Sequence, residues 1–278
     1  MGHYNRLSQA IQGQLDRLKW DGREVDTGHW QGYETQGRPD LITDELINVS
    51  FDAPIPHSMH VLEDECRPNM PWAEMEFQER VAGHANNPHH SLEYWPYWSG
   101  GAQAAATHAG GENFQFTHTY SERFWPNYTG EDPVGKIRGI RYQWGDLDDV
   151  LDLLQGHPYT RQATFPIFFP EDTGAVHGGR IPCTLHYHFL LRDGRLHVWY
   201  PIRSCDAVRH FRDDIYMACR LGQWVLDRLQ DKQAQDRTEL VGDDPDFYWS
   251  EVEPGNLYFT AYSFHVHRGD KHKLVSSR

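Results

Sequence analysis

The stretch that decides the fold is PCTLHYHFLLRDGRLHVWYPIRSCD, residues 182–206. Two runs rich in aromatic and branched side chains flank a central Asp193-Gly194 pair. An Asp-Gly pair tolerates the positive φ angles of a two-residue turn, so this stretch predicts a β-hairpin. Because a tight hairpin returns the chain to the end where it started, we expect Cys183 and Arg203 to lie close together.

The periodicity of apolar residues in the rest of the chain predicts helices on both sides of this hairpin. Apolar residues at steps of three and four predict helices over 4–18, 71–81, 146–155 and 212–230, and Asp146 is a suitable cap for the third. Strands are predicted at 46–51 and 257–260. This mixture of helices and hairpins favours an α+β fold over a regular βαβ alternation. No repeat, linker or composition break divides the chain, so we expect a single domain over residues 1–278.

Composition excludes several classes of protein. Lys and Arg number 26 against 40 Asp and Glu, so the net charge of −14 argues against direct nucleic-acid binding. No run approaches the roughly 20 apolar residues of a membrane helix, and the first residues lack the apolar stretch of a signal peptide. Four unevenly spaced cysteines suggest reduced thiols. We therefore expect a cytoplasmic globular protein.

The predicted proximity of Cys183 and Arg203 has a chemical meaning. An arginine beside a thiol favours the thiolate, which is the nucleophilic form, and the same guanidinium can bind a phosphate. The two residues together predict a nucleophile next to an anion site. The alternative is a half-buried cysteine beside a surface arginine, with no shared function.

Four local motifs in order extend this observation. Pro182-Cys183 precedes the hairpin and Arg203-Ser204-x-Asp206 follows it. A helix then carries Asp214-Ile215, and a strand beginning near Gly255 leads to His265-Val-His267. The arrangement resembles the thymidylate synthase family, which includes pyrimidine-nucleotide methylases and hydroxymethylases. The resemblance covers about residues 90–267 and is strongest from 182 onward. It implies a thymidylate synthase-like fold: a mixed β-sheet with flanking helices, joined through the sheets as a homodimer.

The resemblance also implies a role for each matched residue. Cys183 would add to C6 of a pyrimidine, and Glu93, followed by aromatics, would order water and move protons. Groups around the nucleotide would be Arg203, Ser204 and, from a second subunit, Arg161 at the phosphate, Asp206 organising the site, Asp214 at the base, and His265 and His267 at the sugar. Arg23 would stand in for the N-terminal phosphate arginine of the family. Trp125 and Tyr128 match the family's folate-lining Trp-Asp-x-Trp, with Asp206 contributing to the same site.

Asp214 is a departure from the family, which has an asparagine at the base-reading position. A carboxylate accepts from the N4 amino group of cytosine and would repel the O4 carbonyl of uracil. The residue therefore favours a cytidylate, dCMP or CMP, as substrate. If the alignment shifts by one position, Asp213 would occupy this place instead.

The end of the chain is a second departure, since only eleven residues follow His267. Thymidylate synthases continue to a tail that closes over folate, and lids exclude hydrolytic side reactions. We therefore expect water to attack the methylene intermediate, giving a 5-hydroxymethyl product. The implied enzyme is a cytidylate 5-hydroxymethylase that uses 5,10-methylenetetrahydrofolate and no metal. The alternative is a dCMP or dUMP 5-methyltransferase. Such an enzyme would serve viral DNA modification, in the host cytoplasm, or bacterial nucleoside biosynthesis.

Two other classes of function stay open. His186 and His188 share one face of a predicted strand and His197 lies on the paired strand, as in a cupin-like metal site. The third class is a non-catalytic nucleotide-binding relative. Binding alone does not require the thiol of Cys183, so its presence disfavours this class.

Overall fold

The computed structural model describes residues 1–30, 33–97, 116, 118–126, 146–173, 181–235 and 247–274. Helices and strands are mixed along these ranges, which confirms the predicted α+β class. None of the helices within the ranges is both long enough and apolar enough to cross a membrane.

The helices agree closely with the periodicity of the sequence. They are α1 (Leu7–Asp21), α2 (Met59–Cys66), α3 (Trp72–Arg80), α4 (Tyr120–Phe124), α5 (Leu147–Gly156) and α6 (Phe211–Gln235). The four predicted helices are confirmed as α1, α3, α5 and α6. The carboxylate of Asp146 accepts from the N–H groups of Asp148 and Asp149, so the predicted cap of α5 is also confirmed. Short 3-10 helices lie at Pro39–Leu41, His90–Tyr94, Pro170–Asp172, Trp249–Glu251 and Arg268–Leu274.

Seven of the strands form one mixed sheet. The strands are β1 (Gly2–His3), β2 (Arg23–Val25), β3 (His29–Trp30), β4 (Tyr33–Glu34), β5 (Thr43–Pro54), β6 (Thr164–Pro166), β7 (His186–Arg192), β8 (Arg195–Asp206) and β9 (Glu253–His267). The sheet runs in the order β1-β5-β9-β8-β7-β6, with β2 also paired to β5, while β3 and β4 form a separate ribbon. The pairs β1·β5 and β8·β9 are parallel and the others are antiparallel.

The predicted hairpin is confirmed as β7 and β8. Asp193 and Gly194 form its turn, with φ angles of 51° and 69°. At the open end, the N–H of Arg203 donates to the carbonyl of Cys183 at 2.8 Å. The sheet pairing itself therefore brings the thiol and the arginine together.

Helices α1 and α6 pack against one face of this sheet, where the alternating side chains of the central strands are buried. The alternation of buried and exposed side chains is interrupted at the same level in three neighbouring strands, β5, β9 and β8. On β5 the interruption is at Asn48, whose φ angle of 56° is one that asparagine tolerates. On β8 it leaves Arg203 and Ser204 both outside the core, whereas the next residue, Cys205, is buried. Because of this interruption, consecutive residues of the Arg203–Asp206 motif have different surroundings.

Candidate active site

The thiol of Cys183 lies where the hairpin closes, and it is half-buried. The Arg203 guanidinium is fixed against the backbone that precedes this thiol. Its Nε donates to the carbonyl of Pro182 at 2.9 Å, and its Nη2 donates to the carbonyl of Ile181 at 2.8 Å. These two bonds leave other guanidinium N–H groups for an anion.

A chain of hydroxyl groups lies behind the thiol. The Thr184 hydroxyl is 3.1 Å from the phenol oxygens of both Tyr120 and Tyr200. Burial raises the pKa of Tyr120, and the negative charge of the neighbouring Cys183 raises it further. Tyr120 therefore stays a phenol beside the thiol and can exchange protons along this chain.

Asp214 completes the group from the first turn of α6. Its carboxyl accepts a hydrogen bond from the Tyr200 hydroxyl, and its Oδ2 is 4.0 Å from the Cys205 thiol. Burial raises the pKa of Asp214 to about 7, although the positive charge of Arg80 opposes the shift. The carboxyl can therefore donate or accept a proton near neutral pH.

The adjacent Asp213 has a structural role. Its two carboxylate oxygens accept from the N–H and the side-chain amide of Asn69, at 2.6 and 2.7 Å. Those bonds tie the start of α6 to the segment before α3. Asp214, by contrast, has its carboxyl beside the hydroxyl chain.

A buried ionic network supports the site from α3. The Glu76 carboxylate accepts from Arg80 at 2.9 Å, from His89 at 2.7 Å and from Ser91 at 2.8 Å. The Arg80 guanidinium lies 4.0 Å from the centre of the Tyr120 ring. Burial alone would raise the pKa of Glu76, but the charges of His89 and Arg80 hold it below its usual range. The network is thus an anion and a cation that compensate each other inside the protein.

Sequence reasoning missed this network, although a signal was available for two of its residues. Glu76 and Arg80 are four positions apart in the predicted helix over 71–81, the spacing of a helical ion pair. Tyr120 carried no comparable signal, because its partner Thr184 is 64 positions away.

Asp206 lies at the end of β8, opposite His265 of β9. Its Oδ1 accepts from the N–H groups of Val208 and Arg209, both at 3.0 Å. Its Oδ2 is 4.0 Å from Nε2 of His267. Burial lowers the pKa of His265, although the charge of Asp206 acts in the opposite direction. The predicted motifs around Asp206 and around His265 and His267 therefore meet across one parallel strand pair.

The other predicted site residues have varied surroundings. Glu93 is exposed on the 3-10 helix His90–Tyr94, and Arg23 and Arg161 are exposed on β2 and before β6. Trp125 is buried, and its indole N–H donates to the carbonyl of Arg80 at 2.8 Å. Tyr128 lies outside the described residues. Ser204 is half-buried on β8, between Arg203 and Cys205.

Trp95 offers an aromatic surface at the start of α6. Its ring is stacked on the His210 imidazole, with the ring centres 5.2 Å apart. It is only half-buried as a residue, yet its indole nitrogen is buried, with no hydrogen-bond partner within the described ranges. The sequence Trp95-Pro-Tyr-Trp98 has the Trp-x-x-Trp spacing that was assigned to 125–128. This indole can hold a flat heteroaromatic ring that has a hydrogen-bond acceptor.

The histidines of the cupin-like alternative are engaged in the sheet. Nδ1 of His188 is 2.7 Å from the Thr164 hydroxyl, and Nδ1 of His197 accepts from the N–H of Asn256 at 3.0 Å. Among the described residues, two groups of three side chains could share a metal ion, and neither includes His186, His188 or His197. These groups are Asp206, His265 and His267, and Glu76, Glu79 and His89.

Comparison with known proteins gives distant relatives. No protein-family model matches the chain. It is 27% identical over 123 residues, 44% of this chain, to "Putative thymidylate synthase" of Methanosarcina barkeri, and 26% identical over 161 residues, 58% of this chain, to the protein of the same name in Methanosarcina acetivorans. The matches span 50% and 58% of the length of these two relatives. The similarities support a thymidylate synthase-like family for this chain.

The raised pKa of Asp214 predicts how stability depends on pH. In the folded state the Asp214 carboxyl keeps its proton up to about pH 7, whereas an aspartic acid in the unfolded chain loses its proton near pH 4. The stabilisation is therefore complete at low pH and is lost as the pH rises through 7. We expect the unfolding free energy of the wild type, measured with urea, to fall relative to Asp214→Asn by about 2 kcal/mol between pH 5 and 8. Asp64→Asn, at an exposed position, is the control, and parallel curves for wild type and Asp214→Asn would contradict the assignment.

Proposed function

We propose that this protein transfers a one-carbon unit to C5 of a cytidine nucleotide and is a dCMP or CMP 5-hydroxymethylase. The observation that carries the proposal is that Cys183 is paired with Arg203 at the open end of the hairpin and adjoins the hydroxyl chain that leads to Asp214. A nucleophile, an anion-binding group and a titratable carboxyl are the three contacts that a pyrimidine monophosphate requires. The thymidylate synthase-like similarity supports the same reaction class.

Arg203 holds the phosphate in this proposal. Two of its N–H groups fix it to the backbone before Cys183, so the remaining donors are positioned with little loss of side-chain entropy. Ser204 adds a hydroxyl next to it on the strand. Arg161 and Arg23, both exposed, reach the same phosphate, with Arg161 acting from a second subunit.

Asp214 reads the base and supplies a proton. As the Cys183 thiolate adds to C6, electron density moves to N3 of the ring, and the Asp214 acid with a pKa of about 7 can protonate it there. The resulting carboxylate accepts from both N3–H and N4–H of cytosine. Uracil offers the O4 acceptor in place of the amino group, so its adduct lacks one of these bonds.

The hydroxyl chain then serves proton transfer at C5. The Tyr120 phenol is next to Cys183 and is joined through Thr184 to Tyr200 and Asp214. Movement of a proton along these groups keeps charge off the buried phenols. His265 and His267, beside Asp206, contact the sugar.

Glu76 is a better candidate than Glu93 for the helix-borne glutamate of the family. Glu76 lies on α3, is buried, and is followed by Phe77, whereas Glu93 is exposed. Through Arg80, it holds a positive charge against Tyr120 and near Asp214. Glu76 is therefore a positioning residue for the acid that protonates the base.

The residues at the start of α6 fit a folate cofactor. Trp95 presents a stacked ring with a buried, unsatisfied indole nitrogen within the described ranges, and Asp206 lies nearby on β8. In this proposal Trp95 takes the place that the resemblance implies for Trp125 and Tyr128. When bound, 5,10-methylenetetrahydrofolate supplies the one-carbon unit at the oxidation level of formaldehyde, which becomes a hydroxymethyl group once water adds.

The open face of the sheet suits a second copy of the chain. It carries the stacked rings of Trp199 and Tyr258, 4.2 Å apart and half-buried, flanked by Leu190 and Pro201. A central sheet with aromatic groups on the face opposite its helices is normally covered. A homodimer through this face would cover the rings and let Arg161 reach the partner's phosphate.

The first experiment measures tritium release from C5-tritiated dCMP, CMP and dUMP, with and without methylenetetrahydrofolate. We expect folate-dependent release from a cytidine nucleotide and a product with the mass gain of a hydroxymethyl group. Cys183→Ala should reduce release by several orders of magnitude, because the covalent step is lost. Cys66→Ala, at a buried thiol on α2, is the control. Release from dUMP alone would overturn the role of Asp214, and a methyl mass gain would make the protein a methyltransferase.

Variants of Glu76 and Glu93 test which of the two carboxylates acts as the positioning residue. Glu76→Gln should lower kcat by about 10²-fold and move the pH profile downward, because the positive charge of Arg80, no longer compensated by a carboxylate, lowers the pKa of Asp214 further. Glu93→Gln should leave both unchanged. A lower kcat without a shift of the profile would mean that Glu76 has only a structural role.

The dimer is tested by sedimentation equilibrium. Trp199→Glu places a charge in the proposed interface and should shift the protein to monomer. Trp20→Glu, at a site that is 76% exposed on α1, should leave the mass unchanged. A wild type that is monomeric at micromolar concentration would refute the proposed interface.

A further inference from the structure

Two histidines and a carboxylate converge at the ends of β8 and β9. His265 and His267 are two residues apart on one strand, and Asp206 is paired with His265 on the next. One potential ligand atom from each of the three residues lies within 4.8 Å of the other two. The Nε2 of His267 and the Oδ2 of Asp206 are 4.0 Å apart. The strand pairing, not a flexible loop, sets this convergence.

Each of the three side chains is oriented by a bond through its other polar atom. Nδ1 of His267 is 3.1 Å from the carbonyl of Leu41, which can only accept, so Nδ1 is the donor of that bond and Nε2 is the nitrogen that faces Asp206. Nδ1 of His265 lies 3.5 Å from the Ser263 hydroxyl, which itself donates to the Glu45 carboxylate.

Asp206 follows the same pattern. Its Oδ1 accepts two backbone N–H groups, and its Oδ2 faces His267. Histidines that bind metals are held in this way, with the second ring nitrogen bonded to a neighbouring group that fixes the tautomer.

The surrounding charges allow a cation at this place. Arg209 is the nearest competitor, with its Nε 3.7 Å from Oδ2 of Asp206. Arg209 is held more closely by Asp270, at 2.7 Å, and Lys273 also pairs with Asp270. Among the described residues, Glu45 lies behind Ser263 and adds negative charge near His265.

We propose that Asp206, His265 and His267 bind one divalent first-row transition metal ion of the zinc class. Two imidazoles and one carboxylate are a common protein ligand set for such ions, and they leave a position open to water or a substrate oxygen. Ligand atoms on a tetrahedral zinc ion are roughly 3.4 Å apart, so His267 and Asp206 need to approach by about half an ångström. The proposal rests on these contacts alone and does not depend on the proposed reaction.

Metal binding is measured on the full chain with any affinity tag removed and with no nucleotide present. We expect one Zn²⁺ per chain by calorimetry and a Co²⁺ complex with visible d–d absorption. Asp206→Asn and His267→Phe should each weaken binding by at least about tenfold, because a ligand is lost. His188→Phe, at a half-buried histidine of β7, is the control for the histidines outside the proposed site.

Two outcomes would overturn the proposal. One is the absence of a stoichiometric site, and the other is binding that Asp206→Asn leaves unchanged. Asp206→Asn is decisive if His267→Phe fails to fold, since asparagine keeps an oxygen for the two backbone bonds. Because the assay contains no substrate, failure of the pyrimidine reaction would leave its result intact, and failure to bind metal would leave the reaction untouched.

Discussion

The parallel pairing of β8 with β9 is the constraint on which the other parts of the structure depend. Parallel neighbours cannot be joined by a tight turn, so the chain must cross over before it returns to the sheet, and α6 lies within that crossover. The helix approaches closely at Gly222, where a Cβ atom would lie 2.8 Å from a Val198 methyl group. This packing places Asp214 over Cys205, while the strand pairing places Asp206 opposite His265.

The buried charge of Arg80 is a second constraint on the site. Taking the Arg80 guanidinium out of water is costly, and Glu76 compensates for it from one helical turn away. The Arg80 guanidinium of this pair contacts the Tyr120 ring of α4, and its positive charge acts on the pKa of Asp214 of α6. The pair therefore links α3 to both helices. Two opposing effects therefore fix the acidity of Asp214: burial raises its pKa and Arg80 limits the rise. A site built in this way can hold a carboxyl that titrates near neutrality without direct contact from a base.

Much of the fold and part of the site could be predicted from the preferences of neighbouring residues in the sequence. The Asp193-Gly194 turn, the Asp146 cap and the periodicity of α6 follow from preferences of a few neighbouring residues, and the proximity of Cys183 and Arg203 follows from the hairpin. Long-range packing was beyond such reasoning. A motif match could not show that Glu93 is exposed while Glu76 is buried, or that the indole of Trp125 is bonded to a backbone carbonyl. The interruption at Asn48 depends on three strands meeting, which no single strand pattern contains.

The pair His265 and His267 shows how one arrangement can suit two ligands. Nε2 of His267 and the carboxylate of Asp206 face each other at 4.0 Å, so a positive or hydrogen-donating group placed between them can bind to both. A sugar hydroxyl satisfies one acceptor at a time, whereas a divalent ion satisfies both and also His265. The arrangement therefore suits either ligand, and each would use the same three side chains directly.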